Sequence, residues 1–181
     1  GNNDIAPFKA LFNDMVSKDI SKKIKSILKT KKEQGLFLGS RAPYGYVKDP
    51  NNKNKLIIDQ DKANIVKQIF SLSFHGKSNK EIAIKLNNQN ILSPTNQKWT
   101  ASSIYNILNN KEYTGCLVSN VWTNVSYKNK TRIKRNQQEW VVINNTQEKI
   151  ISEELFEIIQ SRKRKKGHHI IRNKLLLEGL V

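Results

Sequence analysis

The sequence is poor in cysteine and acidic residues and has no long apolar run, and these shortages exclude several protein classes. Cys116 is the only cysteine among 181 residues, so neither an internal disulfide framework nor a cysteine-based zinc cluster can form, which fits a reducing cytoplasm. No apolar run approaches the roughly 20 residues of a membrane-spanning helix, and no secretory signal pattern opens the chain. We therefore expect a cytoplasmic protein without disulfides.

Basic residues are present in large excess. Thirty-two Lys and Arg residues stand against 15 Asp and Glu residues, which gives a formal charge of +17 and a pI near 10.0. Folding does not require such a charge, and it favours a polyanionic partner, with nucleic acid preferred over a membrane surface. The apolar content of 37% predicts only a modest core.

The region from Asp4 to Glu33 is predicted to form one long amphipathic helix, because its apolar residues recur at spacings of three and four. Its second half is basic, with seven lysines against one aspartate over residues 18–32. A solvated surface and a DNA contact both explain such a run. The lysines assigned to DNA are Lys22, Lys25, Lys29 and Lys32.

A segment rich in glycine follows this helix, Gly35–Tyr46, and we call it the arm. Glycine lets a backbone approach another surface closely, Pro43 favours an extended chain, and Arg41 suits a narrow anionic groove. Taken alone, the segment is better explained as an ordinary turn. Its place between a basic helix and a helical domain favours an arm that threads a DNA groove, with Arg41 and Tyr44 as contacts.

Capping signals predict three helices after the arm. Asp59 or Asp61 caps the first helix. The sequence Ser78–Glu81 is a capping box that opens the second helix. Thr100 caps the third, which is predicted from Ala101 to about Asn109.

The third helix has an apolar side and a polar side. The apolar stripe consists of Ala101, Ile104, Ile107 and Leu108. The polar side consists of Ser102, Ser103, Asn106 and Asn109. Small hydroxyls and amides can approach base edges closely, and Asn binds adenine through two hydrogen bonds. An ordinary solvated helix face is the alternative, whereas the charge and the helix order favour a recognition helix.

Alternating polarity predicts two paired strands over residues 113–121 and 139–145. The polar stretch between them, residues 122–138, is longer than loops without structure of their own usually are, which indicates function or disorder. Its basic residues are assigned to DNA and are Lys128, Lys130, Arg132, Lys134 and Arg135. Ser152 is predicted to cap a last helix, which ends in a basic run.

In their order and spacing, these segments resemble the large serine recombinases, which are integrases and transposases of phages and mobile elements. The matching segments are Lys29–Gly35, Gly39–Tyr46, Ala63–Phe70, Ile82–Asn87, Trp99–Leu108 and Asn110–Gly115. The resemblance covers most of the chain and implies the recombinase DNA-binding domain of that family with the long helix before it. For a whole protein it implies cleavage of both DNA strands through phosphoserine links, subunit rotation and religation.

The resemblance also implies two domains that this sequence lacks. In the family a catalytic domain precedes the long helix, and no serine of this chain has the context of the family's nucleophile. Residues 173–181 resemble the lead into a zinc ribbon. We therefore expect no cofactor, metal site or catalytic residue in this chain, and zinc in the missing ribbon of the parent protein.

The predicted domain organisation has four parts. Residues 1–34 form the last helix of the missing catalytic domain, residues 35–46 the arm, residues 47–166 the recombinase DNA-binding domain, and residues 167–181 a tail. We expect an α+β, mainly helical fold with a long N-terminal helix, an extended arm and a helix-turn-helix-like domain with small antiparallel hairpins.

The expected function is sequence-specific binding of double-stranded DNA by a non-catalytic fragment of a site-specific serine recombinase. The fragment positions the missing catalytic domain on an attachment or transposon-end site, where the parent acts as a dimer or tetramer in the bacterial cytoplasm, associated with the nucleoid and not with a membrane. The alternatives are a stand-alone helix-turn-helix transcriptional regulator and an RNA-binding protein.

Overall fold

The computed structural model describes residues 5–126 and 129–162, and these residues fall into two compact units. The first unit contains residues 5–38 and 117–143, and the second contains residues 39–116 and 144–162. Helices predominate and all strand pairs are short and antiparallel, which confirms the predicted α+β class. No helix in these two ranges is long and apolar enough to cross a membrane.

In the first unit, helix α1 (Ile5–Glu33) matches the predicted long helix. It ends where Gly35 takes a left-handed φ of 74° and the Leu36 N–H donates to the Lys31 carbonyl at 3.1 Å, a helix end that favours glycine. Its large apolar side chains between Leu11 and Leu28 are exposed.

The strands of the first unit are nested. Strand β3 (Leu117–Ser119) pairs with β6 (Val141–Ile143), as the sequence predicted, although both strands are shorter than expected. Residues 113 and 114 belong instead to a 3-10 helix, Lys111–Thr114, which Gly115 ends with a φ of 86°.

Residues 122–138 are not one irregular loop. They contain strands β4 (Trp122–Asn124) and β5 (Arg132–Lys134), which pair as a second hairpin inside the first. We call this β4–β5 hairpin the ribbon. A short 3-10 helix, Gln137–Glu139, links it to β6.

The second unit begins with a hairpin of β1 (Tyr46–Lys48) and β2 (Leu56–Ile58) and continues with helices. The helices are α2 (Gln60–Phe74), α3 (Asn79–Asn88), α4 (Ala101–Leu108) and α5, described over residues 153–162. The predicted caps are confirmed at Asp59, Ser78, Thr100 and Ser152, whose side chains each accept a hydrogen bond from the first helical turn.

The core of this unit lies where α2, α3, α4 and α5 meet. Its fully buried side chains include Val66, Ile69, Phe70, Ile82, Leu86, Ile104, Leu108 and Tyr113. Phe70 is central, because its ring lies 6.0 Å from the ring of Tyr113 and 6.3 Å from that of Phe156. Phe74, at the end of α2, is 36% exposed, with the Arg162 guanidinium over its ring at 4.8 Å. Ala101, which was predicted on the apolar stripe of the third helix, is exposed in the first turn of α4.

Candidate nucleic-acid interface

Helices α3 and α4 are held together at the point where the chain passes from one to the other. Near the end of α3, Asn87 donates its side-chain amide to the Trp99 carbonyl at 3.0 Å and accepts from the Trp99 N–H at 2.7 Å. Trp99 itself is 3% exposed. Two hydrogen bonds to the backbone of one residue fix its orientation, so the start of α4 is set relative to α3.

A reciprocal capping box then begins α4. The Ser103 N–H donates to the Thr100 hydroxyl at 3.1 Å, and the Thr100 N–H donates to the Ser103 hydroxyl at 2.9 Å. Ser103 Oγ also donates to the Thr100 carbonyl at 2.8 Å. Ser103 was assigned to the DNA-reading side, but the structure engages its hydroxyl in the cap.

The outward face of α4 carries four side chains at helical spacing. They are Ser102, Tyr105, Asn106 and Asn109, and all four are exposed. Within the described residues, no hydrogen bond is formed by the side chains of Ser102 and Asn106. Asn109 donates its amide to the Tyr105 carbonyl at 2.7 Å and ends the helix. The face therefore carries one hydroxyl, one phenol and two amides, and the hydroxyl of Ser102 and the amide of Asn106 form no hydrogen bond within the described residues.

Tyr105 was absent from the predicted site. Its side chain is 55% exposed, and it lies three residues after Ser102 and four before Asn109, which places it on the same face. This spacing was available in the sequence. An aromatic side chain is more often part of a core, so the residue type alone does not indicate a nucleic-acid contact.

The arm is attached to the second unit by its last residues. Tyr44 contacts Trp99 edge to face at a ring distance of 5.5 Å and donates its hydroxyl to the Leu92 carbonyl at 3.4 Å. Burial, with a smaller effect from Asp59, raises the pKa of Tyr44. Tyr44 thus holds the arm against the α3–α4 connection, whereas Arg41 is exposed.

Gly45, the last glycine of the arm, packs against the core of the second unit. The Tyr46 N–H donates to the Pro43 carbonyl at 2.9 Å, so residues 43–46 form a turn. Gly45 has a φ of +96°, and a Cβ there would lie 2.9 Å from Ile150 Cδ1 and 3.2 Å from Val66 Cγ2. The left-handed conformation at Gly45 favours glycine, and the space for a Cβ there is tight.

The four lysines assigned on α1 share one side of the helix, because they are separated by three, four and three residues. Lys22 lies 3.9 Å from Asp19 and Lys29 lies 3.8 Å from Glu33, with all four side chains well exposed. Exposed ion pairs of this kind contribute little stability, so these cations remain available to a polyanion. Lys25 is exposed and Lys32 is half-buried.

The ribbon brings together two of its predicted basic residues. Trp122 pairs with Lys134, and Asn124 pairs with Arg132, so all four side chains lie on one face of the hairpin. We call this set the ribbon face. Lys130 is exposed beyond the end of the strand, and Lys128 lies outside the described residues.

Arg135 has a different place. It forms an ion pair with Glu139 at 2.6 Å, donates to the Thr123 hydroxyl at 3.3 Å, and accepts the Trp140 indole N–H on its carbonyl at 3.1 Å. Arg135 was assigned to DNA, but its side chain and carbonyl join β4 to the segment before β6.

The described residues contain no cluster of three or more His, Cys, Asp or Glu side chains that could hold a metal ion. Cys116 is 2% exposed and its thiol donates to the Lys111 carbonyl at 3.3 Å. Burial raises the pKa of this thiol, which makes it a poor nucleophile.

Comparison with solved structures finds partial matches to larger chains, and the first of them shares the fold of this chain. One is described as the crystal structure of an LSR–DNA complex, with a TM-score of 0.55 and 23% sequence identity, covering 83% of this chain and 38% of that chain. Another comes from work on the sequence requirements of the Listeria innocua prophage attP site, with a TM-score of 0.47 and 24% identity, covering 80% of this chain and 50% of that chain. This chain therefore spans at most half the length of either structure.

No curated protein matches the sequence. The Recombinase family model matches residues 60–166, a range that begins at the first residue of α2 and includes α3, α4 and the ribbon. The range contains four of the six segments on which the resemblance rested. Because it is more than half of the 181 residues, the chain belongs to the Recombinase family.

Proposed function

We propose that this chain binds duplex DNA in a sequence-specific manner as part of a site-specific serine recombinase. In this proposal it positions a catalytic domain, carried elsewhere in the parent protein, on a recombination site of a mobile element. DNA cleavage and religation belong to that catalytic domain, so the chain by itself neither nicks DNA nor captures it covalently.

The outward face of α4 is the observation that carries the proposal. Its helix is fixed at the start by the Thr100–Ser103 box and is oriented by the Asn87–Trp99 contacts. A short helix held in this way on α2 and α3, with hydroxyl and amide groups directed outward, is suited to the major groove. α3 and α4 then act as a helix-turn-helix pair, with α4 as the recognition helix.

Electrostatics support the same conclusion. The charge of +17 is far beyond what solubility needs, and the lysines on one side of α1 are not neutralised by strong pairs. With roughly six phosphate contacts, the slope of log K against log salt is about −5. Phosphate contacts of this kind hold the protein on the duplex, and α4 supplies the sequence preference.

The test is a selection of duplexes from a random-sequence pool with the 181-residue chain, followed by affinity measurements on selected and random duplexes. We expect Asn106→Ala to weaken binding to the selected duplexes about 5-fold to 150-fold, corresponding to ~1 to 3 kcal/mol, and to change binding to random duplexes little. Asn64→Ala, at an exposed position on α2, is the matched control and should change neither affinity.

Three results would contradict the proposal. If the selection enriches no sequence, binding is not sequence-specific. An equal loss on selected and random duplexes would reduce Asn106 to a contact with the backbone of DNA. A covalent protein–DNA adduct on a denaturing gel would show that this chain carries its own nucleophile.

A further inference from the structure

The ribbon presents two chemically different faces. Thr123 and Ile133 pair on one of them, and the other is the ribbon face with Trp122, Asn124, Arg132 and Lys134. Ile133 and Trp122 are about half exposed, and both strands are only three residues long. Neither face of the ribbon is buried as the face of a core strand would be. The choice of side chains on the ribbon therefore cannot be explained by hydrophobic packing alone.

Each cation of the ribbon face lies over an indole ring. The Arg132 guanidinium is 5.8 Å from the centre of the Trp122 ring, and the Lys134 ammonium is 5.3 Å from that of Trp140. The Trp140 ring is itself fixed, because its N–H donates to the Arg135 carbonyl at 3.1 Å. A cation held over a ring keeps its full charge and loses less side-chain freedom when it binds an anion.

The segment that contains the ribbon has more basic than acidic residues. Residues 117–143 contain five basic residues and one acidic residue, which leaves a formal charge of +4. The acidic residue, Glu139, is engaged by Arg135 at 2.6 Å. In the described ranges, no carboxylate forms an ion pair with Arg132 or Lys134.

We propose that the ribbon face binds the sugar-phosphate backbone of duplex DNA without regard to base sequence, with Arg132 and Lys134 as the phosphate ligands. The inference rests on the proposed DNA-binding function and adds a second contact to that of α4. The two ligands are separated by one residue on one strand face, about 6.6 Å along β5, so they can reach successive backbone groups of one DNA strand.

The positions of the rings favour phosphates over unpaired bases. A surface that binds single strands offers free aromatic faces for stacking, whereas here the ring faces of Trp122 and Trp140 carry the cations. Stacking a base on the ring face that a cation occupies would displace that cation. The ribbon face therefore offers charge to its partner, and the indoles hold that charge in place.

Arg135 has a positioning role in this proposal. Its ion pair with Glu139, its contact with Thr123 and its carbonyl contact with Trp140 hold the base of the ribbon. The basic residues of the ribbon thus divide by role: Arg132 and Lys134 contact the DNA, and Arg135 maintains the hairpin that carries them.

The main experiment compares two double variants with equal loss of charge. Arg132→Gln with Lys134→Gln removes the proposed ligands, and Lys53→Gln with Lys55→Gln removes two exposed lysines from the turn and strand start of the β1–β2 hairpin. Affinity is measured at several salt concentrations on selected and random duplexes. We expect the ribbon variant to reduce the steepness of the log–log salt slope by about 2 and to weaken both kinds of duplex by the same factor, and the control to change the slope much less.

A change no larger than that of the Lys53 and Lys55 control would overturn the proposal, because net charge alone would then explain it. A loss confined to the selected duplexes would also overturn it, since the ribbon would then read bases. So would a greater loss on a single-stranded oligonucleotide than on duplex. These failures differ from failure of the proposed function, in which the unaltered chain enriches no duplex sequence.

A second variant tests the role of Arg135 separately. Arg135→Lys keeps the positive charge and cannot make the paired contacts of the guanidinium. We expect a lower melting temperature with an unchanged salt slope at temperatures where the variant is folded. An unchanged melting temperature with a shallower slope would place Arg135 on the DNA and overturn the division of roles.

Discussion

Asn87 and Trp99 exchange two hydrogen bonds, with the amide of Asn87 donating to the Trp99 carbonyl at 3.0 Å and its oxygen accepting from the Trp99 N–H at 2.7 Å. The two residues are twelve apart in the chain, and Trp99 lies two residues before Ala101, where α4 begins. One side chain on α3 therefore sets the direction in which α4 starts.

Loss of this pair should affect both stability and binding. We expect Asn87→Ala to lower the free energy of unfolding by about 2 kcal/mol, because it leaves the buried N–H and C=O of Trp99 without partners. Affinity for selected duplexes should also fall, since α4 loses its fixed orientation. Asn88→Ala, at the next and exposed position, is the control, and chemical denaturation is the measurement. Equal stability of the two variants would contradict the role given to Asn87.

Ser102 and Ser103 are adjacent serines with opposite predicted effects. Ser103→Ala removes half of the capping box and should cost roughly 0.5 to 1 kcal/mol of stability, with a smaller effect on DNA binding. Ser102→Ala should leave stability unchanged and weaken binding to selected duplexes. The paired measurement is thermal unfolding and affinity on the same two proteins. If both serines affected only binding, the capping role of Ser103 would be wrong.

Gly45 and Gly76 allow conformational strain to be separated from steric conflict. Both have a positive φ, at +96° and +86°, but a Cβ at Gly76 would meet nothing within 4 Å, whereas one at Gly45 would lie 2.9 Å from Ile150 Cδ1. Gly76→Ala should therefore cost about 1 kcal/mol for backbone strain alone. Gly45→Ala should cost a further ~1 to 3 kcal/mol for overpacking. Similar costs in denaturant unfolding would show that the core yields at Gly45.

Arg41 is predicted to enter a minor groove, and its exposure permits this. We expect Arg41→Ala to weaken binding most where the site beside the α4 footprint is rich in A·T pairs, because a narrow minor groove concentrates negative potential. Arg41→Lys should recover only part of the loss, since an ammonium is more strongly hydrated than a guanidinium.

The measurement for Arg41 is a binding series on duplexes that differ only in that flanking tract, with melting temperature recorded alongside. Folding should be unaffected, as an exposed residue without core contacts contributes little to stability. If the loss of affinity did not depend on the sequence of the flanking DNA, or if the melting temperature fell strongly, the prediction that Arg41 enters the minor groove would be wrong.

The sequence predicted those parts of the fold that are determined by residues close together in the chain. The caps at Asp59, Ser78 and Thr100 depend on residues three positions away, so their pattern can be read along the chain. The buried stripe of α4 was also predictable at Ile104, Ile107 and Leu108, because apolar periodicity reports the face that packs.

The sequence did not predict elements that depend on contacts between residues distant in the chain, or strands too short to show a periodic pattern. The ribbon has three residues in each strand and no buried face, so its alternation resembles that of a polar loop. The sequence does not distinguish Arg135 from the other cations, because its contacts with Thr123 and Glu139 exist only once the hairpin has formed. Ser103 occupies a position where a hydroxyl suits both a cap and a base contact, and the sequence alone did not show that its hydroxyl completes the capping box.

The ribbon lies between β3 and β6 in the chain. Whether the segments that connect it to these strands have an odd or an even number of residues therefore determines which way its side chains face. Side chains alternate between faces, so one extra residue in the link from β3 to β4, matched by one before β6, would reverse the side on which Arg132 and Lys134 emerge. Two extra residues on each side would restore that side and move the cations about 7 Å outward. Insertions of an even number of residues would thus change only the distance of the cations from β3 and β6, and insertions of an odd number would change the face on which they lie. A designer could in this way move a charged contact without altering the helices.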